Sequence, residues 1–253
     1  MKLCNSTWSL HREIPERMRL LEFPAWNASI GISAVEVVES HLPLLERGFL
    51  DELRAKCDDA GVTVAAIAAD NDFTVTDRGE WERQVERVAM MLRDVAGRLG
   101  ATALRVNTGR ADEGDKAPER VMEAAGRLVE AAARAKVAMA MENHGGISSD
   151  PETVLRIVRA VGSPWFGTCP DFGNFPEQTR YECVAKVAPY AKHVHAKAYD
   201  FDERGEETRL DYARLLRILR SADYDGYLSI EFEGPGDQRE GTQKTLALIQ
   251  RYL

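Results

Sequence analysis

One short apolar segment that ends in an acid decides the fold: Val137-Ala138-Met139-Ala140-Met141-Glu142. Successive side chains of a β-strand point to opposite faces, so one face carries the bulky Val137, Met139 and Met141. The other face carries two alanines and then Glu142. This pattern is typical of a barrel strand, whose bulky face packs on helices and whose small face fills a narrow lumen. Glu142 is therefore predicted to point inward at the C-terminal end of the strand.

Short apolar or β-branched runs of this kind occur eight times along the chain. They are Leu3–Trp8, Ala34–Val38, Val62–Ala68, Ala103–Val106, Val137–Met141, Trp165–Cys169, His193–Ala198 and Tyr227–Ile230. Segments with helical periodicity lie between them, and the clearest is Asp77–Leu99, whose apolar residues recur at three- and four-residue spacing. Other predicted helices start at Pro118, run from Asp150-Pro151 to Gly162, and cover Tyr212–Ala222 and Thr242–Leu253.

Strands that alternate with amphipathic helices eight times predict an α/β fold, a single (β/α)8 TIM barrel. The 253 residues suit one such barrel, and no low-complexity linker or composition shift divides them. We therefore expect residues 1–253 to form a single domain.

Strand parity places four metal-competent side chains at one rim of this barrel. On the four consecutive strands from the fifth to the eighth, the inward set ends in Glu142, Asp171, His195 and Glu231. Taken singly, each has an ordinary structural interpretation, such as a solvated carboxylate, a turn cap or a core histidine. Their coincidence at the C-terminal rim, where barrels place their active sites, favours a common site instead.

Three carboxylates and one imidazole are ligands that suit one divalent metal ion, most plausibly Mn, Co or Mg, with Zn as a further option. Without a cation, carboxylates that converge in a barrel mouth would repel one another and raise their own pKa values. We therefore predict that Glu142, Asp171, His195 and Glu231 bind one divalent ion.

Four motifs make a resemblance specific at these strand ends: Glu142-Asn143-His144, Cys169-Pro170-Asp171-Phe172-Gly173-Asn174, His193-Val194-His195-Ala196-Lys197 and Gly226-Tyr227-Leu228-Ser229-Ile230-Glu231. They resemble the strand ends of the sugar phosphate isomerase/epimerase family, within the xylose isomerase-like TIM barrel superfamily. That superfamily includes ketose 3-epimerases, hydroxypyruvate isomerase, inosose and dehydroshikimate dehydratases, and a DNA-repair endonuclease. The resemblance covers nearly the whole chain. It implies the same four metal ligands, and it implies that Glu142 and Glu231 are an acid/base pair.

Two positions depart from the patterns of this superfamily. Asn174 stands where the ketose epimerases have a histidine three residues after the aspartate, which puts their substrate contacts in doubt. Asn174 and Asn107 also stand where the DNA-repair branch has histidines, so a three-zinc cluster lacks ligands. A neutral amide is a poor substitute for imidazole on zinc.

The reaction we expect is proton transfer next to a carbonyl of a small polyhydroxylated substrate, a sugar or sugar phosphate, through an enediolate. One of Glu142 and Glu231 would remove the proton and the other would return it, and the sequence does not say which. The alternative enzyme is a metal-dependent dehydratase of a cyclic polyol or keto acid, because the same intermediate can expel a β-hydroxyl. A non-catalytic binding barrel is a different class of protein. A barrel whose active site had decayed would have lost at least one metal ligand, and none of the four is missing in this sequence.

Further rim residues are candidates for substrate binding. They are Glu36, Asn107, His144, Asn174 and Lys197. His144 either binds a substrate hydroxyl or orients Glu142, and Lys197 either meets a substrate oxyanion or phosphate or is solvated. Glu36 either binds hydroxyls or pairs with Arg105. Trp8 either stacks on a sugar face or plugs the barrel.

Charge and composition restrict the partners. The formal net charge is -8 and no dense Lys/Arg run occurs, which argues against a nucleic-acid partner. The opening residues lack the apolar core of a signal peptide and no apolar stretch is long enough to span a membrane, so we expect a cytoplasmic protein that does not associate with membranes. Four cysteines without CxxC spacing suggest reduced structural thiols. The sequence leaves open whether the chain forms a homo-oligomer.

Overall fold

Eight parallel strands form the centre of the structure, a computed structural model that describes residues 1–110 and 116–253. The strands are β1 (Lys2–Ser6), β2 (Ala34–Val38), β3 (Thr63–Ala68), β4 (Ala103–Val106), β5 (Ala138–Glu142), β6 (Phe166–Cys169), β7 (Val194–Ala198) and β8 (Tyr227–Phe232). Each predicted strand is present; the bounds of β2 and β4 are as predicted, and those of the other strands differ by one or two residues at an end. The largest difference is in β1, which ends at Ser6, so that Trp8 lies in the following 3-10 turn Thr7–Leu10.

The order of neighbouring strands closes the sheet into a barrel. Consecutive strands pair in parallel from β1 to β6, and β8 pairs with both β1 and β7. The remaining gap between β6 and β7 is bridged just beyond the end of β6, where Asp171 is registered with His195. There the Phe172 amide donates to the His195 carbonyl at 3.1 Å, and the His195 amide donates to the Pro170 carbonyl at 3.1 Å. The predicted TIM barrel is confirmed.

Helices surround this barrel. They are α1 (Phe23–Ser29), α2 (Arg47–Ala60), α3 (Arg78–Met90), α4 (Gly97–Leu99), α5 (Ala117–Ala135), α6 (Pro151–Val161), α7 (Arg180–Val187), α8 (Tyr212–Ser221) and α9 (Gln238–Tyr252). A π-helical turn, Met91–Ala96, joins α3 to α4, so the predicted helix over Asp77–Leu99 is continuous. Asp77 itself is the N-cap, and its side chain accepts from the Glu80 amide.

The two faces of the strands pack as the alternation predicts. Met139 and Ile230 point outward into the main apolar core that the helices share with the barrel. Cys4, Ala34 and Ala65 form a separate small cluster inside the lumen. Small side chains at the bottom of the barrel leave the polar groups concentrated at the C-terminal rim. Within the ranges that the structure describes, no helix is long and apolar enough to cross a membrane.

Candidate metal and substrate site

The C-terminal rim brings three carboxylates to one ring nitrogen. His195 Nδ1 lies 3.2 Å from Glu142 Oε1, 3.4 Å from Glu231 Oε1 and 3.9 Å from Asp171 Oδ2. All four side chains are almost completely buried. Four consecutive strands supply them: Glu142 ends β5, Asp171 follows β6 after Pro170, His195 is the second residue of β7, and Glu231 lies one residue before the end of β8. The structure therefore brings together the four residues that parity selected.

The spacing of these donor atoms fits a divalent ion. Atoms that each lie about 2.1 Å from one ion, at angles of about 90–110°, are separated by about 3.0–3.4 Å. The distances from His195 Nδ1 to Glu142 and Glu231 fall in this range, and the Asp171 distance exceeds it by about 0.5 Å. Asp171 Oδ2 is buried and makes no hydrogen bond to any residue that the structure describes. A buried carboxylate oxygen without a hydrogen bond fits the role of a metal ligand.

Backbone contacts hold Asp171 in place. Its amide donates to Asn143 Oδ1 at 2.7 Å, and its carbonyl accepts from Asn143 Nδ2 at 3.2 Å. Its Oδ1 accepts from the amides of Gly173 and Asn174, at 2.7 and 2.9 Å. Oδ1 is thus held by the turn, whereas Oδ2 makes no hydrogen bond to the described part of the chain and faces the site, with Lys197 Nζ 3.3 Å away. Asn143 was not among the predicted site residues, although an Asn directly after a rim glutamate was a signal for its role.

Arg105 on β4 is the cation that faces Glu142. Its Nε lies 3.1 Å from Glu142 Oε2, and both side chains are buried. Asn174 Nδ2 also donates to Glu142 Oε1 at 3.1 Å. Burial opposes ionisation of Glu142, but Arg105 and His195 outweigh it and lower the pKa of this carboxyl. Of the two alternatives that the sequence left for Glu36, pairing with Arg105 is wrong, because Arg105 pairs with Glu142.

Glu231 has a different environment. Its Oε1 faces His195, and its Oε2 lies 3.5 Å from Lys197 Nζ. Burial raises the pKa of Glu231 to about 7, and the carboxylates of Glu142 and Asp171 add to this, although His195 and Lys197 act against it. The two glutamates therefore differ, since one is held ionised by an arginine and the other is not.

The ammonium group of Lys197 lies among the carboxylates of the site. Its Nζ is 3.3 Å from Asp171 Oδ2 and 3.1 Å from Glu233 Oε1, and it donates to Asn174 Oδ1 at 3.3 Å. Burial lowers the pKa of Lys197, but the surrounding carboxylates outweigh burial and raise it well above its ordinary value. Lys197 is thus a buried cation and not the solvated side chain of the alternative interpretation.

Glu36 lies below this cluster and is completely buried. Its Oε2 lies 2.7 Å from His193 Nε2 and accepts a hydrogen bond from His195 Nε2 at 3.1 Å. Burial opposes ionisation, but the two histidines lower the pKa of Glu36 well below its ordinary value. The contact of Glu36 with the two histidines was not predicted from the sequence.

A cavity of about 220 Å³ opens above the cluster. Among the predicted site residues, Glu142, Glu231, Asn107, His144 and Lys197 line it. Glu36, Asp171, His195 and Asn174 are not among its lining residues. The other lining side chains are Trp8, Val38, Ser40, Ala68, Ala69, Asp70, Arg105 and Glu233. Trp8 is fixed at the mouth because its Nε1 donates to Glu233 Oε1 at 2.7 Å.

The charges around this cavity are not balanced by the protein. Five carboxylates meet here: Glu36, Glu142, Asp171, Glu231 and Glu233. Arg105 and Lys197 are the two permanent cations among these contacts, so three negative charges are left over when both histidines are neutral. A divalent cation would compensate two of these three. The arrangement is consistent with a divalent metal site in a polar cavity.

Parts of the chain are similar to curated proteins. The alpha subunit of a 3'-dehydrocarminate deglycosidase from a Microbacterium species is 46% identical over 62 residues, which cover 24% of this chain. The alpha subunit of a C-glycoside deglycosidase from Arthrobacter globiformis is 38% identical over 65 residues, or 26% of this chain. Each match spans only 18% of the relative's length.

Solved structures share the fold over almost the whole chain at low identity. D-psicose 3-epimerase from Clostridium cellulolyticum, solved with D-tagatose, has a TM-score of 0.81 at 15% identity and covers 100% of this chain and 99% of its own. The 3-keto-D-glucoside 4-epimerase of E. coli gives 0.79 at 17% identity, covering 99% of both chains. A probable 3-DHS dehydratase from Bacillus anthracis gives 0.74 at 15%, covering 98% of both. The family model described as xylose isomerase-like TIM barrel matches residues 24–252, so the chain belongs to that family.

Proposed function

We propose that this protein is a divalent-metal-dependent sugar or sugar phosphate isomerase or epimerase that transfers a proton next to a carbonyl. The observation that carries the proposal is the set of three carboxylates around His195 Nδ1 at the floor of a polar cavity. The names of the structural neighbours support it, because two of them are epimerases of keto sugars or keto glucosides.

Glu142, Asp171, His195 and Glu231 would hold the ion. A divalent ion bound there supplies Lewis-acid stabilisation of negative charge on the substrate's carbonyl and neighbouring hydroxyl oxygens. Asp171 and His195 act only as ligands in this proposal, since neither lines the cavity that receives the substrate. Glu142 and Glu231 line it and are the proton-transfer pair.

Glu231 is the better base for the first proton transfer. Glu142 forms an ion pair with Arg105, whose Nε lies 3.1 Å from Oε2, and its Oε1 accepts a hydrogen bond from Asn174 Nδ2 at 3.1 Å. The Glu231 carboxylate meets its cationic neighbours only at 3.4 and 3.5 Å. A carboxylate that is not saturated with donors accepts a proton from carbon more readily. In an epimerisation Glu142 would relay a proton from solvent to the opposite face, and Glu231 would release the proton it removed to solvent.

The remaining wall of the cavity suits a polyhydroxylated substrate. Asn107 and His144 line one side, and Asp70 and Ser40 add further donors and acceptors. Lys197 lines the cavity with its cationic group and would bind a substrate oxyanion. Trp8 provides an aromatic surface at the mouth, which is suited to the apolar face of a sugar ring.

A second candidate is a dehydratase, in which the same enolate expels a β-hydroxyl. The position of Lys197 favours it, because its ammonium lies 3.5 Å from Glu231 Oε2 and would stabilise negative charge on a leaving oxygen, which takes the proton that Glu231 has removed. The 3-DHS dehydratase among the structural neighbours has the same fold.

One experiment separates the two candidates. The protein, supplemented in turn with Mn²⁺, Co²⁺ and Mg²⁺, is incubated in D₂O with ketoses, aldoses, inososes and dehydroshikimate. Deuterium uptake at carbon without loss of water identifies an isomerase or epimerase, and loss of water identifies a dehydratase. If no substrate takes up deuterium or loses water with any metal, the proposal is wrong.

A further inference from the structure

The two ring nitrogens of His195 face different carboxylates on opposite sides of the ring. Nδ1 faces the carboxylates of Glu142, Glu231 and Asp171 at 3.2 to 3.9 Å. Nε2 faces the barrel interior, where Glu36 Oε2 lies 3.1 Å away. A neutral imidazole has one N–H group and one nitrogen lone pair. The residue that accepts the hydrogen bond from the N–H therefore decides which ring nitrogen can bind a cation.

Glu36 is a fixed acceptor for that N–H. Its side chain is completely buried on β2, across the lumen from β7. The same Oε2 atom lies 2.7 Å from His193 Nε2. The rings of His193 and His195 stand at 89° to each other with their centroids 5.6 Å apart, so both Nε2 atoms approach one oxygen. Two buried rings in contact with one carboxylate leave the Glu36 side chain little freedom to turn.

A separate metal site at Glu36, His193 and His195 is a competing interpretation, because their ligand atoms lie within 4.8 Å of one another. The distances argue against it. The 2.7 Å between His193 Nε2 and Glu36 Oε2 is shorter than the about 3.0–3.4 Å that separates two ligands of one ion. The 3.1 Å between His195 Nε2 and the same oxygen is an ordinary hydrogen bond.

We propose that Glu36 is a positioning residue, which fixes the ring of His195 and its Nε2–H tautomer so that the Nδ1 lone pair points into the carboxylate cluster. Metal-binding histidines commonly donate their second N–H to a carboxylate, and such partners contribute about 10- to 100-fold to metal affinity. This inference rests on the metal site of the proposed function and deepens it. In this role Glu36 accepts the hydrogen bond from His195 Nε2 and does not bind substrate hydroxyls.

The tautomer can be read directly in the wild-type protein. Long-range ¹H–¹⁵N correlation spectra of the Zn²⁺-loaded full chain, labelled with ¹⁵N-histidine, contain signals from five histidines, and the His195→Asn variant identifies those of His195. We expect the proton on Nε2 and the metal on Nδ1. A His195 ring with its proton on Nδ1 overturns the inference.

The affinity test uses two carboxylate-to-amide variants. Glu36→Gln keeps the shape but removes the charge that holds the N–H, so its Kd for Mn²⁺, measured from the EPR signal of the free ion, is expected to rise about 10- to 100-fold. Glu13→Gln is the matched control, because Glu13 is also shielded from solvent but pairs with Arg239 away from the site. Glu36→Asp keeps the charge but shortens the side chain, so its Kd for Mn²⁺ is expected to lie between those of Glu36→Gln and Glu13→Gln.

The outcomes separate this inference from the proposed function. If the wild-type protein binds Mn²⁺ and the Kd of Glu36→Gln equals that of Glu13→Gln, the inference about Glu36 is wrong and the proposed metal site stands. Wild-type protein that binds no Mn²⁺ overturns the proposed metal site, and the inference with it. If circular dichroism shows that Glu36→Gln is unfolded, the tautomer of the wild-type protein decides the question.

Discussion

Replacing Glu231 with Gln removes a base and leaves the shape of the site almost unchanged. The carboxylate lines the cavity and is buried between His195 and Lys197. The amide keeps an oxygen that can bind the metal, but it cannot accept a proton from carbon. Glu142 is a weaker base, because Arg105 and His195 lower its pKa and Asn174 donates a hydrogen bond to its Oε1. A general base contributes about 10²–10⁴-fold to rate, which equals about 2.7–5.4 kcal/mol of barrier.

The assay is the rate of solvent deuterium uptake at saturating metal, with the bound metal measured in the same sample. Glu233→Gln is the matched control, because Glu233 also lines the cavity and contacts Lys197, at 3.1 Å, but does not face His195. We expect it to change mainly KM and to slow exchange less than tenfold. An E231Q protein that holds its metal and exchanges as fast as wild type would refute the assignment of Glu231 as the base.

Three further predictions follow from the same structure. Mn²⁺ at a hundred times its Kd should stabilise the wild-type protein by about 2.7 kcal/mol and raise its Tm by about 5–11 °C, whereas His195→Ala should show no such rise in thermal unfolding. Gly167→Ala should lower the Tm, since its Cβ would lie 2.2 Å from the Tyr190 carbonyl oxygen. Gly126→Ala, on an exposed helix face where the new Cβ would have nothing within 4 Å, should raise the Tm by about 1–4 °C. The reverse order of the two Tm changes would contradict the packing described. The Zn²⁺-loaded protein should not nick an abasic DNA duplex, because the chain has a net charge of -8; nicking at catalytic protein concentrations would overturn the sugar substrate.

The barrel could be predicted from the sequence because its signal is local. The alternation in β5 and β8 identifies which side chains face the lumen, and this needs no knowledge of the partner strand. The start of α9 was missed for a physical reason. Its first turns bury Gln238 and Thr242, which satisfy their polar groups by hydrogen bonds, so that the buried face there is not apolar.

The site was predictable as a set of inward residues at one rim but not as a set of contacts. Parity places Arg105 in the lumen, yet its choice of Glu142 over Glu36 depends on which strands are adjacent, and β4 pairs with β5. The bond from His195 to Glu36 crosses the lumen between strands that do not pair with each other. Contacts of this kind depend on how the barrel closes, which no local pattern in the sequence records.

The position of the metal tests the central claim most directly. Crystals grown with Mn²⁺ should show an anomalous difference peak at about 2.0–2.3 Å from His195 Nδ1 and from oxygens of Glu142, Asp171 and Glu231. Such a peak is the result we predict. A protein that binds Mn²⁺ in solution but places the peak away from these four side chains, or crystals that show no peak at all, would contradict it.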